Sequence, residues 1–387
     1  MRSLTWEMAC QRRLARQYLL APASPAELVD VVRAIGGVQA QILSAAELAL
    51  GARVAGITRQ DAQAALWRER TLVKTYGPRG TLHLLPADEL PFWMAALREA
   101  EALSGPPWYQ RAGFDSAQGA ALLDAIGAAL DGRSLMRREL ADAIGAEVGD
   151  WARERLLSAW GELLSPAALA GRLCFGPSAG SQVRFVRADQ WIGHWEEHEP
   201  RAALVELCRR YICAYGPVTH GDIAHWFRLK PDQAQTLIEP LASQLEAVDF
   251  LGRRAWMLTD DTWNAASSDS EPDGDSLRLL PQYDCYLLGC APRERIVPAA
   301  ARPRVNSYGR GRFEGATALP TLLITGSVAG IWERRAPGRK SPTGGELRVE
   351  AFTTLPGGQR RRLEAEVARV GDFLGTSLSL SLGALGQ

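Results

Sequence analysis

Apolar positions along the chain change between helical and strand spacing, and the same order of elements occurs three times. In each stretch, segments with apolar residues every three or four positions come first, separated by turns. Two short runs of alternating β-branched and aromatic residues around a turn then follow. The first stretch predicts helices over residues 4–20, 26–35 and 60–69, and a hairpin over 72–85.

The second and third stretches repeat this order. The second predicts an N-cap at Ser134 and a hairpin over 171–191, after helices over 119–130, 134–144 and 150–164. The third starts near Ala203 and predicts an N-cap at Thr219, a helix over 232–245 and a hairpin over 245–261. Two helices joined by a turn and followed by a hairpin are typical of a winged-helix domain. The sequence therefore predicts three tandem winged-helix units, at 1–112, 113–198 and 199–262.

The pattern changes after residue 262. Six acidic residues fall within 260–275 among Ser, Gly and Pro, which predicts a solvated linker over 263–276. Residues 277–387 alternate in strand fashion between Gly- and Pro-rich turns, so we expect a small β-barrel or sandwich there. The predicted fold class is mainly α with β hairpins (α+β), with the β-rich domain following the three winged-helix units.

The charge of the chain is balanced overall but uneven along its length. Lys and Arg number 44, as do Asp and Glu, and the 47% of hydrophobic residues excludes wholesale disorder. Residues 277–387 hold sixteen basic and nine acidic residues, so the basic excess begins right after the linker. A nucleic acid must therefore meet local basic faces. The candidate DNA contacts are Arg79, Arg137, Arg138, Arg302, Arg304, Arg310 and Arg312.

The sequence predicts a cytoplasmic monomer with no membrane partner. No apolar run approaches the ~20 residues that a membrane span needs, and the first twenty residues have no signal-peptide pattern. Three units and a β-rich domain in one chain favour a monomer over a small homodimer. None of the six cysteines is spaced Cys-x-x-Cys, so structural zinc is not expected. Neither a metal nor a cofactor is predicted.

The candidate chemistry lies in the GGVQAQ segment, residues 36–41. Gly36 and Gly37 favour a break in helical geometry at this point. In an extended stretch, residues i and i+2 point to the same side, so the amides of Gln39 and Gln41 would both reach one small object. On a helix the two side chains would diverge by roughly 200°. Two glutamines in a turn can also simply bond backbone groups, and spacing alone leaves both interpretations open.

Five separated motifs point to one protein family. They are GGVQAQ (36–41), TYGPRGTLHLLPADEL (75–90), VTHGDIAHWFRL (218–229), LRLLPQYDCYLLG (277–289) and GSVAGIWERR (326–335). Taken in this order, they resemble the winged-helix family of bacterial DNA glycosylases typified by AlkZ, and the similarity spans almost the whole chain. Five motifs in the right order are a far more specific signal than any one of them.

The resemblance implies a catalytic Gln–hydrophobic–Gln motif, which falls on Gln39, Ala40 and Gln41. The related YcaQ-like branch of crosslink glycosylases has Asp at the second polar position, so Gln41 makes this chain AlkZ-like. Ala40 departs from the pattern because it is small for the central position. The implied activity is excision of N7-alkylated purines from double-stranded DNA, including bulky adducts and interstrand crosslinks. Such an activity would serve DNA repair or self-resistance to an alkylating natural product.

Neutral glutamines suit this chemistry. Alkylation at N7 gives the purine a positive charge, so the base leaves without a strong general acid. Two amide oxygens can accept hydrogen bonds from a water at the anomeric carbon and face the positive charge that develops on the sugar. No Lys nucleophile is evident, so we expect a monofunctional glycosylase that leaves an abasic site.

Two other functions are compatible with parts of the sequence. Three winged helices would also serve a non-catalytic DNA-binding regulator. HWEEH at 194–198 has the His-x-x-Glu-His spacing of a zinc peptidase helix, although no third ligand for His194 and His198 follows in a suitable place. Arg79 is either a phosphate contact or a simple turn residue, and we expect His83 to be packed behind the first hairpin.

Overall fold

Two compact units make up the part of the chain that the structure describes. The computed structural model describes residues 1–158, 163–180, 182–261, 276–308, 319–335 and 344–385. The first unit comprises Met1–Gln63, Arg210–Asp222 and Ala242–Gln387, and the second unit comprises Ala64–Arg209 and Ile223–Leu241. Both units are assembled from discontinuous stretches, so their borders do not follow the predicted borders at 112, 198 and 262. The arrangement in three winged-helix units stays a prediction.

Helices and short strands both occur along the described chain, in groups rather than in strict alternation, as in an α+β fold. The helices are α1 (Trp6–Arg16), α2 (Leu28–Ala34), α3 (Leu43–Gly51), α4 (Arg59–Trp67), α5 (Leu90–Ser104), α6 (Trp108–Arg111), α7 (Ser116–Ala129), α8 (Arg137–Val148), α9 (Asp150–Ser158), α10 (Leu164–Leu169), α11 (Ala188–Ile192), α12 (Pro200–Tyr215), α13 (His220–Phe227), α14 (Pro231–Ile238), α15 (Cys285–Gly289), α16 (Arg293–Ile296), α17 (Arg302–Tyr308) and α18 (Gly357–Leu374). Over the described ranges, none of these helices has the length and apolar content needed to cross a membrane.

The strands are mostly short. They are β1 (Arg2–Leu4), β2 (Val38–Gln39), β3 (Leu72–Tyr76), β4 (Leu82–Pro86), β5 (Leu135–Met136), β6 (Cys174–Ala179), β7 (Gln182–Val186), β8 (Leu245–Phe250), β9 (Arg253–Leu258), β10 (Leu277–Leu280), β11 (Thr321–Ile324), β12 (Ser327–Arg335), β13 (Gly344–Ala351) and β14 (Ser377–Leu382). The three predicted hairpins are confirmed as the antiparallel pairs β3–β4, β6–β7 and β8–β9.

Of the N-caps predicted at Ser134 and Thr219, the one at Thr219 is confirmed. The Thr219 hydroxyl accepts the N–H of Asp222 (3.2 Å), and the Asp222 carboxylate accepts the N–H of Thr219 (2.7 Å), so both groups are satisfied at the start of α13. The prediction of Ser134 as an N-cap is wrong, because α8 begins three residues later. Its N-cap is Met136, whose N–H is bonded by the Glu139 carboxylate (2.8 Å).

The second unit has its core between a sheet and helices. Its strands pair in the order β4, β3, β6, β7 and β5, with Phe175 opposite Phe185 in the β6–β7 pair. Helices α7 and α8 pack together beside the sheet and bury Leu122, Ile126 and Leu140 with these two rings. Alternating strand residues and helical residues at spacings of three or four therefore bury their apolar faces against each other.

The C-terminal part of the first unit differs from the prediction. The described strands form one sheet in the order β10, β11, β12, β13 and β14, in which β13 and β14 are parallel. The long helix α18 connects β13 to β14 and packs against the sheet. The predicted β-barrel or sandwich is therefore not confirmed in the part of this segment that the structure describes.

Local sequence signals explain these differences. Residues 357–374 bury apolar residues at helical spacing (Leu363, Val367, Val370 and Phe373), a period that the preceding run of arginines obscured. The motif LRLLPQYDCYLLG is a strand only through Leu280. Asp284 then accepts the N–H of Tyr286 (2.9 Å) and starts the short helix α15. Of the predicted linker over 263–276, only Ser276 lies within the described residues, where its carbonyl accepts the Thr325 N–H (2.8 Å).

Buried arginines connect the separate stretches of the first unit. The Arg13 guanidinium donates to the carbonyls of Tyr215 (3.0 Å), Pro217 (2.8 Å) and Ala291 (2.6 Å). Its neighbour Arg12 donates to the carbonyls of Cys213 (2.8 Å) and Gly216 (2.7 Å) and to Asp261 (2.5 Å). Further along, Arg369 of α18 donates to the carbonyl of Gly51 at the end of α3 (2.9 Å). Charge-assisted bonds to main-chain carbonyls thus replace much of the hydration that burial removes.

Arg53 and Asp284 form a fully buried ion pair in the same unit. Two parallel bonds of 2.8 and 2.7 Å join the guanidinium to the carboxylate, and neither side chain is accessible to solvent. Arg53 also donates to the carbonyl of Ala49 (3.0 Å). Removing one member of such a pair leaves the other charged, buried and uncompensated, which costs far more than breaking a surface pair.

We expect Asp284→Ala to lower the free energy of unfolding by about 3–5 kcal/mol, because Arg53 would remain buried without its counter-charge. The matched control is Glu364→Ala, which removes an exposed pair with Arg360 and should cost less than about 1 kcal/mol. Urea denaturation followed by circular dichroism measures both values. If both variants shifted the urea midpoint equally, the buried pair would contribute no more to stability than the exposed pair.

Candidate active site

The backbone of the GGVQAQ segment reverses direction immediately after α2. The N–H groups of Gly36 and Gly37 bond back to the carbonyls of Arg33 (3.3 Å) and Val32 (2.9 Å). Both glycines have positive φ angles, 75° and 85°, which residues with a Cβ adopt only at a cost. Val38 and Gln39 are then extended as β2, and the next helix begins at Leu43. The predicted break in helical geometry is confirmed.

The two glutamines lie at different depths. Gln39 is only 6% exposed and Ala40 is fully buried, whereas Gln41 is exposed. The small central residue is therefore part of the packed interior of the first unit. A substrate that approaches from solvent reaches the amide of Gln41 first, and the amide of Gln39 is kept inside the fold. That both amides reach one small object stays a prediction.

Ile42 is a feature of this site that sequence analysis missed. It occupies the N-cap position of α3, where its side chain cannot accept a backbone N–H, and it is 41% exposed beside Gln41. Ser, Thr, Asp and Asn are preferred at N-caps because their oxygen atoms satisfy the first N–H groups of the helix. The sequence signal that could have revealed this feature was an apolar residue directly before α3, where a polar N-cap is usual. The structure places an exposed apolar surface directly next to the candidate catalytic segment.

The first hairpin of the second unit carries Arg79 and His83. Arg79 lies in the turn with φ 63°, is half-buried, and places its guanidinium carbon 4.1 Å from the centre of the Trp226 ring. His83 is buried, and its Nδ1 lies 2.9 Å from the carbonyl oxygen of Thr81. Burial, reinforced by the charge of Arg79, lowers the pKa of His83 to about 3. His83 is thus a neutral, packed residue at physiological pH, as expected behind the hairpin.

The other arginines predicted to contact DNA have different environments. Arg138 is exposed at the start of α8, whereas Arg137 donates to the carbonyl of Leu156 (2.8 Å). Arg302 donates to the carbonyls of Val297 (3.3 Å) and Glu294 (3.1 Å). Arg310 and Arg312 lie outside the described residues.

Arg304 is engaged in a two-bond ion pair. Its guanidinium donates to both carboxylate oxygens of Glu350 (2.5 and 2.7 Å), and these bonds lower the pKa of Glu350. Because Glu350 neutralises this guanidinium, Arg304 attracts a DNA phosphate less strongly than an exposed arginine would. The prediction for Arg304 is therefore harder to reconcile with its surroundings than the prediction for the exposed Arg138.

The zinc-hydrolase interpretation fails on geometry. A His-x-x-Glu-His site needs both histidines on one helix, but His194 and His198 lie in an irregular stretch between α11 and α12. The His198 ring contacts Phe92 edge-on at 5.8 Å. His220 is elsewhere, and its Nε2 accepts the indole N–H of Trp256 (3.0 Å). Within the described ranges, no group of three His, Cys, Asp or Glu side chains is arranged to hold a metal ion.

Comparison with known proteins assigns the chain to a family. The family model described as DNA glycosylase AlkZ-like matches residues 32–373, which include the GGVQAQ segment. An interstrand DNA cross-link repair glycosylase of Streptomyces sahachiroi is 31% identical over 335 residues, covering 85% of this chain and 88% of that protein. The solved structure of Streptomyces sahachiroi DNA glycosylase AlkZ superposes with a TM-score of 0.83 at 29% identity, covering 98% of this chain and all of that one. The fold, the order of the motifs and these matches agree, and the chain belongs to the AlkZ-like family of DNA glycosylases.

Proposed function

We propose that this enzyme hydrolyses the N-glycosidic bond of N7-alkylated purines in double-stranded DNA, using Gln39 and Gln41. The observation that carries the proposal is the position of these two amides, one buried and one exposed, on the non-helical segment after Gly36 and Gly37. Membership of a DNA glycosylase family supports the reaction type. The proposed enzyme needs no metal or cofactor and acts on DNA as a monomer.

The proposed reaction is a hydrolysis in which the lesion supplies most of the driving force. The bond between the sugar C1′ and the purine N9 breaks, and its electron pair moves into the base and neutralises the N7 cation. A water held by the amide oxygens of Gln39 and Gln41 then forms the new bond to C1′ and loses a proton to solvent. Fixed amide dipoles also stabilise the positive charge on the sugar. Because a neutral amide is a very weak base, unmodified purines should remain intact.

The proposal extends to bulky adducts. The Streptomyces relative is named for repair of interstrand DNA cross-links, and we extend this substrate class to the present chain as part of the proposal. In this proposal, a large alkyl group on N7 covers the side chain of Ile42, which follows Gln41 in the chain and is 41% exposed. In this proposal, local basic faces that include Arg79 and Arg138 hold the DNA backbone.

Replacing either catalytic glutamine should abolish most base release. We expect Gln39→Ala and Gln41→Ala each to slow excision of N7-methylguanine from alkylated duplex DNA by roughly 10²–10⁴-fold, with DNA affinity nearly unchanged. The double variant should be little slower than the slower single variant, because residues that hold one water act as a unit. Gln41→Asp should keep part of the activity, since a carboxylate also accepts hydrogen bonds from water.

The matched control for this experiment is Gln63→Ala, which removes a glutamine of the same unit that donates to Glu47 (3.1 Å). It should excise at the wild-type rate. A double variant of Gln39 and Gln41 with wild-type activity would place the site elsewhere. If the wild-type protein released no alkylated base at all, the proposed substrate class would be wrong.

DNA binding should depend strongly on salt although the net charge of the chain is zero. Each phosphate contact releases counterions and contributes about −0.9 to the slope of log K against log salt concentration. Arg138→Ala should make this slope less negative by about one unit. Arg68→Ala is the control, because Arg68 is exposed and paired with Glu69 and is not among the predicted contacts. Fluorescence anisotropy over a salt series measures the slopes, and a flat dependence for wild type would contradict local basic faces.

Ile42→Ser should separate stability from activity. Serine at the N-cap can accept a backbone N–H of α3, so we expect the free energy of unfolding to rise by about 1 kcal/mol. Loss of the apolar contact should slow excision of a bulky N7 adduct roughly tenfold while N7-methylguanine is released at the wild-type rate. Leu20→Ser, which changes another exposed apolar residue, should alter neither rate. Equal slowing on both lesions would exclude a contact between Ile42 and the adduct.

A further inference from the structure

The carbonyl group that precedes the GGVQAQ segment has an unusual donor. Ile35 is the C-cap residue directly after α2, and carbonyls at the end of a helix have no partner within it. Ile35 is fully buried, so water cannot supply the missing hydrogen bond. The hydroxyl of Tyr215, at the end of α12, donates to this carbonyl at 2.8 Å. A residue distant in sequence thus fixes the point at which the chain enters the segment.

The Tyr215 side chain is itself held from several sides. Its ring stacks on that of Tyr211, with centroids 5.0 Å apart and an angle of 28° between the planes. On another side the ring contacts Gly289, where a Cβ would lie 2.1 Å from the Tyr215 Cε1. Only glycine leaves room for the ring at that position. The Tyr215 carbonyl accepts a bond from the buried Arg13 (3.0 Å), so the hydroxyl has little freedom to move.

The path from this bond to Gln39 is short and fully packed. Ile35, Gly36, Gly37 and Val38 are all buried, and Gln39 follows immediately in the extended strand β2. A displacement of the Ile35 carbonyl must therefore be absorbed at the two glycines, whose backbone has the greatest freedom, or transmitted to Gln39. Positioning errors of about 1 Å are enough to slow an enzyme by roughly 100-fold.

We infer that Tyr215 is a positioning residue for the glycosylase reaction. Its hydroxyl acts through the Ile35 carbonyl and sets the place of the Gln39 amide, without touching the substrate. This inference rests on the proposed catalytic role of Gln39. It adds a residue of α12, far from the motif in sequence, to the determinants of the reaction rate.

The chain offers a closely matched control. Tyr211 lies on the same helix, is also buried, and its hydroxyl likewise donates to a main-chain carbonyl, that of Gly289 (3.0 Å). Tyr211→Phe and Tyr215→Phe each remove one buried hydroxyl that bonds a carbonyl. Both variants should lose a similar, small amount of thermal stability, and thermal unfolding verifies that both are folded at the assay temperature. The two variants differ in the carbonyl that loses its donor: the Ile35 carbonyl leads into the GGVQAQ segment, and the Gly289 carbonyl does not.

The test is the single-turnover rate at which the whole chain, bound to alkylated duplex DNA, releases N7-methylguanine from that DNA. We expect Tyr215→Phe to be about 10- to 100-fold slower than wild type with unchanged DNA affinity, and Tyr211→Phe to remain within about twofold of wild type. In the Gln39→Ala background, Tyr215→Phe should cause no further slowing, because the group that it positions is absent.

The outcomes separate this inference from the proposed function. Equal rates for the two tyrosine variants, or a full additional slowing by Tyr215→Phe in the Gln39→Ala background, would overturn the positioning role and leave the proposed function intact. Wild-type activity of Gln39→Ala would overturn the proposed site, and the role of Tyr215 with it. If Tyr215→Phe is slow in the wild-type background and causes no further slowing in the Gln39→Ala background, the result supports both the positioning role and the proposed site.

Discussion

Arg13 is buried in the first unit with its Nε and both terminal nitrogens bonded to main-chain carbonyls. Those carbonyls belong to residues about 200 and 280 positions later in the chain, so one side chain of α1 connects three distant stretches. The neighbouring Arg12 donates to the carbonyls of Cys213 and Gly216 and to the carboxylate of Asp261. Removing a guanidinium from water is costly, and only nearly complete hydrogen bonding makes it tolerable. The architecture of the first unit, and with it the place of Tyr215 and the GGVQAQ segment, depends on these contacts.

Local elements were predictable from the sequence because their signals are local. The three hairpins alternate with period two around Gly-containing turns, and Thr219 carries its capping partner Asp222 three residues later. Elements that depend on distant partners were missed. Strand β1, with only three residues, is too short for a pattern and exists through parallel pairing with β8. The division into two units also escaped prediction, since it depends on which distant stretches share a core.

The same distinction applies to the candidate site. Gly36 and Gly37 signalled the non-helical backbone, and the order of five motifs signalled the family. The different depths of Gln39 and Gln41 could not be predicted, because burial is set by packing from other parts of the chain. Counting arginines also could not distinguish the exposed Arg138 from Arg304, whose charge is neutralised by Glu350, 46 residues away. The residue type gives the charge of a side chain, and only the fold shows whether that charge can reach DNA.

The bond from Arg369 to the carbonyl of Gly51 has a consequence for synthesis of the protein. A ribosome adds about 5–20 residues per second, so α3 emerges on the order of tens of seconds before α18 exists to cover it. During that interval the continuous stretch 64–209, which makes up most of the second unit, is completed. The nascent chain therefore exposes the apolar side of α3 to solvent for far longer than a helix or a hairpin takes to form. The late synthesis of α18 thus leaves one face of α3 without its final packing partner until nearly the whole chain has been made.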